Sequence, residues 1–170
     1  MAAHLVSMDI SITRRRLEMQ GFSGLDDRAV SELGPWLRFA PAICAGLVAL
    51  ATLLGSVPLL MAVVATALLG AVVPHHPFDL LYNYGIRHLT GTGPLPPNGA
   101  PRRFACAVST VWLSLTTWAF AAGAITVGRV LGGAFVVVAM VPVLTDFCVP
   151  SFFFQWISRC SPAMKGVSES

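Results

Sequence analysis

The sequence predicts an all-α membrane protein, a four-helix transmembrane bundle built from two parallel-repeat helical hairpins. Three observations carry this. Arg-Phe-Ala occurs twice, at 38–40 and 103–105, and each copy opens a long apolar stretch. Each stretch ends in a proline and a short aromatic segment, Pro77-Phe78-Asp79-Leu80-Leu81-Tyr82 in the first unit and Pro150 to Trp156 in the second. The composition also leaves too few charges for a water-facing surface. Charged residues are 11% and hydrophobic residues 55%, where a soluble domain carries about 25% charge.

Residues 1–34 read as a polar cytosolic arm, partly disordered before Ser23. Gly21-Phe22-Ser23-Gly24 is its joint, and a short helix over Asp26–Leu33 ends at Gly34-Pro35. Arg14, Arg15 and Arg16 precede no apolar core, so they do not open a secretion signal. The first membrane helix is expected to serve as an uncleaved signal anchor.

The membrane domain is read as 35–158. Its first hairpin, 36–73, holds a helix over Trp36–Gly55, a turn at Gly55-Ser56-Val57-Pro58 and a helix over Pro58–Val73. The second, 104–144, holds a helix over Phe104–Val127, a turn at Thr126-Val127-Gly128-Arg129 and a helix over Arg129–Leu144. A span needs about 20 apolar residues, with about 17 as the floor. The second helix of each pair is therefore short, and suits a thinned bilayer. Tight turns force antiparallel neighbours. An even number of spans per unit makes the repeat parallel, not inverted. Small residues, Gly128, Gly132, Gly133 and Ala134 in the last helix, and Ala42, Ala45, Gly46 and Ala49 in the first, prepare close helix contacts.

Between the hairpins, 74–103 is a long cytoplasmic loop. It has an amphipathic stretch at 78–84 and a Pro/Gly segment at 91–99. An interfacial segment over 150–158 and a flexible tail over 159–170 follow. Trp36 and Trp156 fit an aromatic belt, and Tyr82 and Tyr84 read as interface anchors. Orientation follows from the basic residues. Arg14, Arg15, Arg16, Arg28, Arg38, Arg87, Arg102, Arg103, Arg159 and Lys165 lie on one side, and only Arg129 on the other. The excess puts both termini and the central loop in the cytoplasm. The net charge of +3 is small and follows the helix ends, so the expected partner is the lipid bilayer and not nucleic acid.

Polar residues converge on the cytoplasmic leaflet. Asp146 is the strongest pointer, because a carboxylate beside hydrocarbon costs a few kcal/mol and tends to be kept for function. Its bland alternative is a helix-end residue bonded to Thr145 or paired with Arg103. Cys148 follows it, and a nearby cation, His75, His76 or Arg103, would favour its thiolate. The alternative is an inert buried thiol. Cys44 and Cys106 share that depth. The four cysteines show no paired spacing, so no zinc site is read from them. His75 and His76 are candidates for a haem or quinone ligand. As neighbours they point apart, and capping the preceding helix is the simpler role. Catalysis is assigned to no residue, with Cys148 and Asp146 as candidates. No cofactor or metal is assigned, with His75 and His76 as the candidate ligands.

The segments His76 to Gly85, Gly99 to Cys106 and Asp146-Phe147-Cys148-Val149-Pro150-Ser151, with Arg-Phe-Ala before each hairpin, resemble a bacterial family of small four-helix integral membrane proteins. That family is catalogued as a domain of unknown function. The resemblance spans roughly 35–157. Many members carry Gly-Phe-Cys and a second Cys three residues on, whereas this chain has Asp146 and Ser151 at those places. The resemblance implies a multi-pass protein of the bacterial inner membrane. It implies a redox or sulfur theme, and the leading expectation is an accessory or carrier role in thiol or sulfur metabolism, with a thioredoxin-like or sulfur-transfer protein as partner, in preference to an enzyme. The alternative is a membrane thiol oxidoreductase or small transporter using a cytoplasmic-leaflet Cys/Asp site.

Overall fold

The computed structural model describes residues 2–22, 24 and 26–160. The described chain is helical and contains no strand. Helix α1 (Ala2–Met19) and helix α2 (Asp27–Leu37) form the arm, which is thus more regular than the sequence suggests. The Asp26 carboxylate caps α2, accepting the Ala29 N–H at 2.7 Å. Helix α2 does not stop at Gly34-Pro35 but runs through them to Leu37. Continuing the helix buries Leu37 with Val30 and Leu33 against Leu17, Phe22, Tyr82 and Leu95. That burial outweighs the one hydrogen bond a proline removes. The Ser23 joint and the tail from 161 lie outside the described residues.

The four helices of the ring follow, α3 (Phe39–Leu54), α4 (Val57–Val72), α7 (Ala100–Ala121) and α8 (Ile125–Thr145). Between α4 and α7 lie short helix α5 (Pro77–Leu81), a π-turn over Tyr82–Ile86, short helix α6 (Arg87–Thr90) and an extended stretch. Helix α9 (Val149–Cys160) closes the chain. The first turn falls where expected, with Gly55 left-handed at φ 61° as the C-cap of α3. The second falls earlier than expected, at Ala122-Gly123-Ala124, where Gly123 adopts φ 77°. Thr126 to Arg129 are therefore helical.

Helix α3 packs along α8 and α4 along α7, with α3–α4 and α7–α8 contacts completing the ring. Val48, Val63, Leu113 and Phe135, one from each helix, form its central core. Ala51, Leu60 and Phe120 fill the end near the tight turns. The α3–α8 seam depends on Gly132. A Cβ there would collide with Thr52, whose Cγ2 would be 2.7 Å away. Gly133 faces open space instead and has no part in packing.

Outward faces are apolar, with Leu53, Met61, Val111, Trp118, Val130 and Val137 all exposed. Among the described residues three helical stretches are long and apolar enough to cross a membrane, and a fourth if α4 and the segment after it, bent by 86°, count as one span. The 16 residues of α4 reach about 24 Å, short of a hydrocarbon core of about 30 Å.

Tyr82 is no interface anchor. It is wholly buried, its ring centroid 4.9 Å from that of Trp36. The central loop is ordered around it. Asn83 accepts the Leu95 N–H at 2.7 Å, tying the extended stretch down. Tyr84 and Trp156 remain exposed.

Candidate functional site

The starts of α3 and α7 and the ends of α4 and α8 meet at one end of the helix ring, capped by the arm and α9. Two ion pairs and a cavity occupy it.

Asp146 ends α8 in the left-handed conformation, φ 56°. Asp tolerates this better than most residues, although it is a strained place for a side chain. Its carboxylate is 4% exposed and is gripped from both sides by Arg38. Arg38 Nε donates to Oδ1 at 2.6 Å, and a terminal nitrogen of the guanidinium donates to Oδ2. This fork geometry is the strong form of an Arg–carboxylate contact. The Asp146 carbonyl accepts from the Gln20 amide at 2.7 Å, and the Thr145 carbonyl accepts from Arg16. Arg103, the cation the sequence offered to Asp146, does not hold it. Arg103 instead donates to the Ala71 and Val72 carbonyls at 3.0 and 2.7 Å, closing the C-terminus of α4.

The second pair joins Arg102, in the first turn of α7, to Asp79 in α5, at 3.6 Å. Both are buried. Arg102 also donates to the Leu37 carbonyl at 3.3 Å and lies 4.9 Å over the Phe22 ring. Asn98 donates to Asp79 Oδ2 at 3.3 Å. Arg102 Nη1, Asp79 Oδ1 and Asn98 Oδ1 find no hydrogen-bond partner among the described residues. The two ion pairs cross the duplication. The arginine before the first hairpin holds the acid after the second, and an arginine before the second hairpin holds the acid after the first.

Between the pairs lies a cavity of about 130 Å³. Cys44 from α3, Cys106 from α7 and Cys148 after α8 all line it, as do His76, Arg102 and Gln20. The rest of its wall is mainly apolar. The two histidines separate. His75 is half-buried and not part of the wall, while His76 is 4% exposed and is. His76 caps the helix after it, not the one before, with Nδ1 accepting the Phe78 N–H at 3.3 Å. The opposite edge of its ring packs on Gly70. A Cβ at Gly70 would stand 3.2 Å from both His76 Nε2 and Cys106 Sγ, so glycine leaves room over α4 for the imidazole and the thiol alike. Among the described residues no group of three or more His, Cys, Asp or Glu is placed to hold a metal ion.

A family model described as Domain of unknown function (DUF4395) matches residues 35–159. The chain belongs to this family. No curated protein and no solved structure matches it. The DUF4395 region contains both ion pairs and the three cavity cysteines, whereas α1 and the Gln20 that follows it lie outside.

The sequence pointed to Cys148 and Asp146 as a unit, but they divide. Cys148 faces the cavity, and Asp146 is absent from its wall. Arg38, Asp79, Arg102 and Gln20 were missed. The available signal was the arginine in or beside each repeated motif, which read only as a marker of orientation.

Proposed function

We propose that this DUF4395 chain is a multi-pass protein of the bacterial inner membrane, crossing the bilayer as a four-helix bundle of two same-facing hairpins. Both termini are cytoplasmic, so the cavity opens toward the cytoplasmic leaflet. Its role is that of an accessory or carrier protein in thiol or sulfur metabolism, with a thioredoxin-like or sulfur-transfer protein as partner. One observation carries the thiol reading: three of the four cysteines of the chain, from three separate segments, meet at one cavity beside a histidine. The pairing of α3 with α8 and α4 with α7 supports a duplicated bundle, since exchanging the hairpins maps one contact onto the other.

The membrane thiol oxidoreductase reading keeps one favourable observation, that His76 and Cys106 both pack on Gly70 and line the same cavity. A site built on Asp146 loses ground, because both carboxylate oxygens are occupied by Arg38. Haem ligation by the adjacent histidines is disfavoured by their separation.

Variants retaining one of Cys44, Cys106 and Cys148 at a time, in lipid nanodiscs, test the site. Methyl methanethiosulfonate, small and uncharged, is expected to modify these thiols, and a charged thiosulfonate of larger size to leave them untouched. Resistance of all three to the small reagent in the folded protein sinks the reading. For orientation, alkaline phosphatase fused at Ser170 is expected to be inactive. High activity would place the C-terminus on the far side.

A further inference from the structure

The polar wall of the cavity holds one charged group, Arg102, beside His76, Gln20, Ser109 and three cysteines. His76 Nδ1 accepts the Phe78 backbone N–H, so a neutral ring carries its proton on Nε2, the nitrogen at the Gly70 and Cys106 edge. Arg102 is 8% exposed and lines the cavity, and its Nη1 meets no acceptor among the described residues. A guanidinium can only donate. Cys44, Cys106 and Cys148 add three weak S–H donors. Neither carboxylate of this end belongs to the wall, since Asp146 is enclosed by Arg38, and Asp79 lies behind Arg102. Val63, Leu113, Phe135 and Val138 supply the apolar remainder.

We propose that this cavity binds one small, weakly hydrated monoanion, of the thiocyanate or iodide type, between Arg102 and His76. This rests on the reading of the cavity as the working site, and names the chemical class of its ligand. A wall whose one charged group is a buried guanidinium favours negative charge. Apolar walls and sulfur select a polarisable ion that sheds water easily, because a strongly hydrated one would lose more solvation than the wall returns. The charge of Arg102 is shared with Asp79, so one negative charge is the most the site can balance. A cavity of about 130 Å³ has room for an ion of this size.

Equilibrium dialysis of the full chain in nanodiscs with radiolabelled thiocyanate, at constant ionic strength balanced with sulfate, tests this. The expected result is saturable uptake of one thiocyanate per chain, displaced by iodide and not by sulfate. Ala139→Phe fills the cavity without altering a charged group and is expected to abolish uptake. Arg102→Lys keeps the charge, loses the fork, and is expected to weaken binding about tenfold, the scale of one hydrogen bond to a charged group. Uptake that does not saturate, or that both variants retain at full strength, overturns the proposal. If uptake does not saturate while methyl methanethiosulfonate still modifies the cavity thiols, the anion proposal fails alone. If uptake saturates while the thiols resist that reagent, the thiol reading fails and the anion site stands.

Discussion

Arg38→Met is expected to destabilise the folded protein by about 3–5 kcal/mol, the usual result of stripping one partner from a buried ion pair. The asymmetry of the pair decides which partner matters more. The Asp146 side chain is 5% exposed and that of Arg38 38%. Removing Arg38 leaves a carboxylate with no access to water, whereas removing the acid leaves a guanidinium that still reaches solvent. Asp146→Asn, which tolerates the left-handed backbone and keeps the Gln20 contact to the carbonyl, should therefore cost less, about 1–3 kcal/mol. Arg38→Lys should fall between them, keeping charge but losing the fork. Unfolding of each variant in mixed detergent checks the order. Equal losses for Arg38→Met and Asp146→Asn would mean that the depth of Asp146 has no energetic consequence.

Arg102→Met is the second large effect, also about 3–5 kcal/mol. It leaves Asp79 buried with only Asn98 as a donor, and removes the contacts to the Leu37 carbonyl and the Phe22 ring. Here both partners are deep, so replacing them together with apolar residues, Arg102→Met with Asp79→Leu, should restore most of the loss. A double-mutant cycle measures this directly. Additive losses would show that Arg102 acts through Leu37 and Phe22 and not through Asp79.

The helices were legible because apolar runs of this length have few other solutions, and Gly55 marked its turn. The second turn was not legible. Ala121-Ala122-Gly123-Ala124 has no polar residue, and the helix breaks at the positive φ of Gly123 with Ala122 and Ala124 off helical ψ on either side. Tyr82 was misplaced because a tyrosine in an aromatic, amphipathic stretch looks the same whether it meets lipid or Trp36. At the site, sequence supplied depth but not azimuth. It placed Cys44, Cys106, Cys148 and His76 at a common level, yet could not tell that these face inward while Asp146 turns to Arg38. The lengthwise position of a residue on a helix is counted in residues, whereas its facing depends on packing with helices far away in the chain.

The crossing of the two ion pairs bears on biogenesis. A ribosome delivers the first hairpin before the second. At that stage Arg38 and Asp79 are already made, while their partners Asp146 and Arg102 are not. A half-synthesised chain thus holds one orphan cation and one orphan acid near the bilayer, and neither is satisfied until α7 and the end of α8 arrive. Truncated or stalled products carry two unpaired charges that the finished chain pairs, which gives membrane proteases and insertion chaperones a physical mark for telling the two apart.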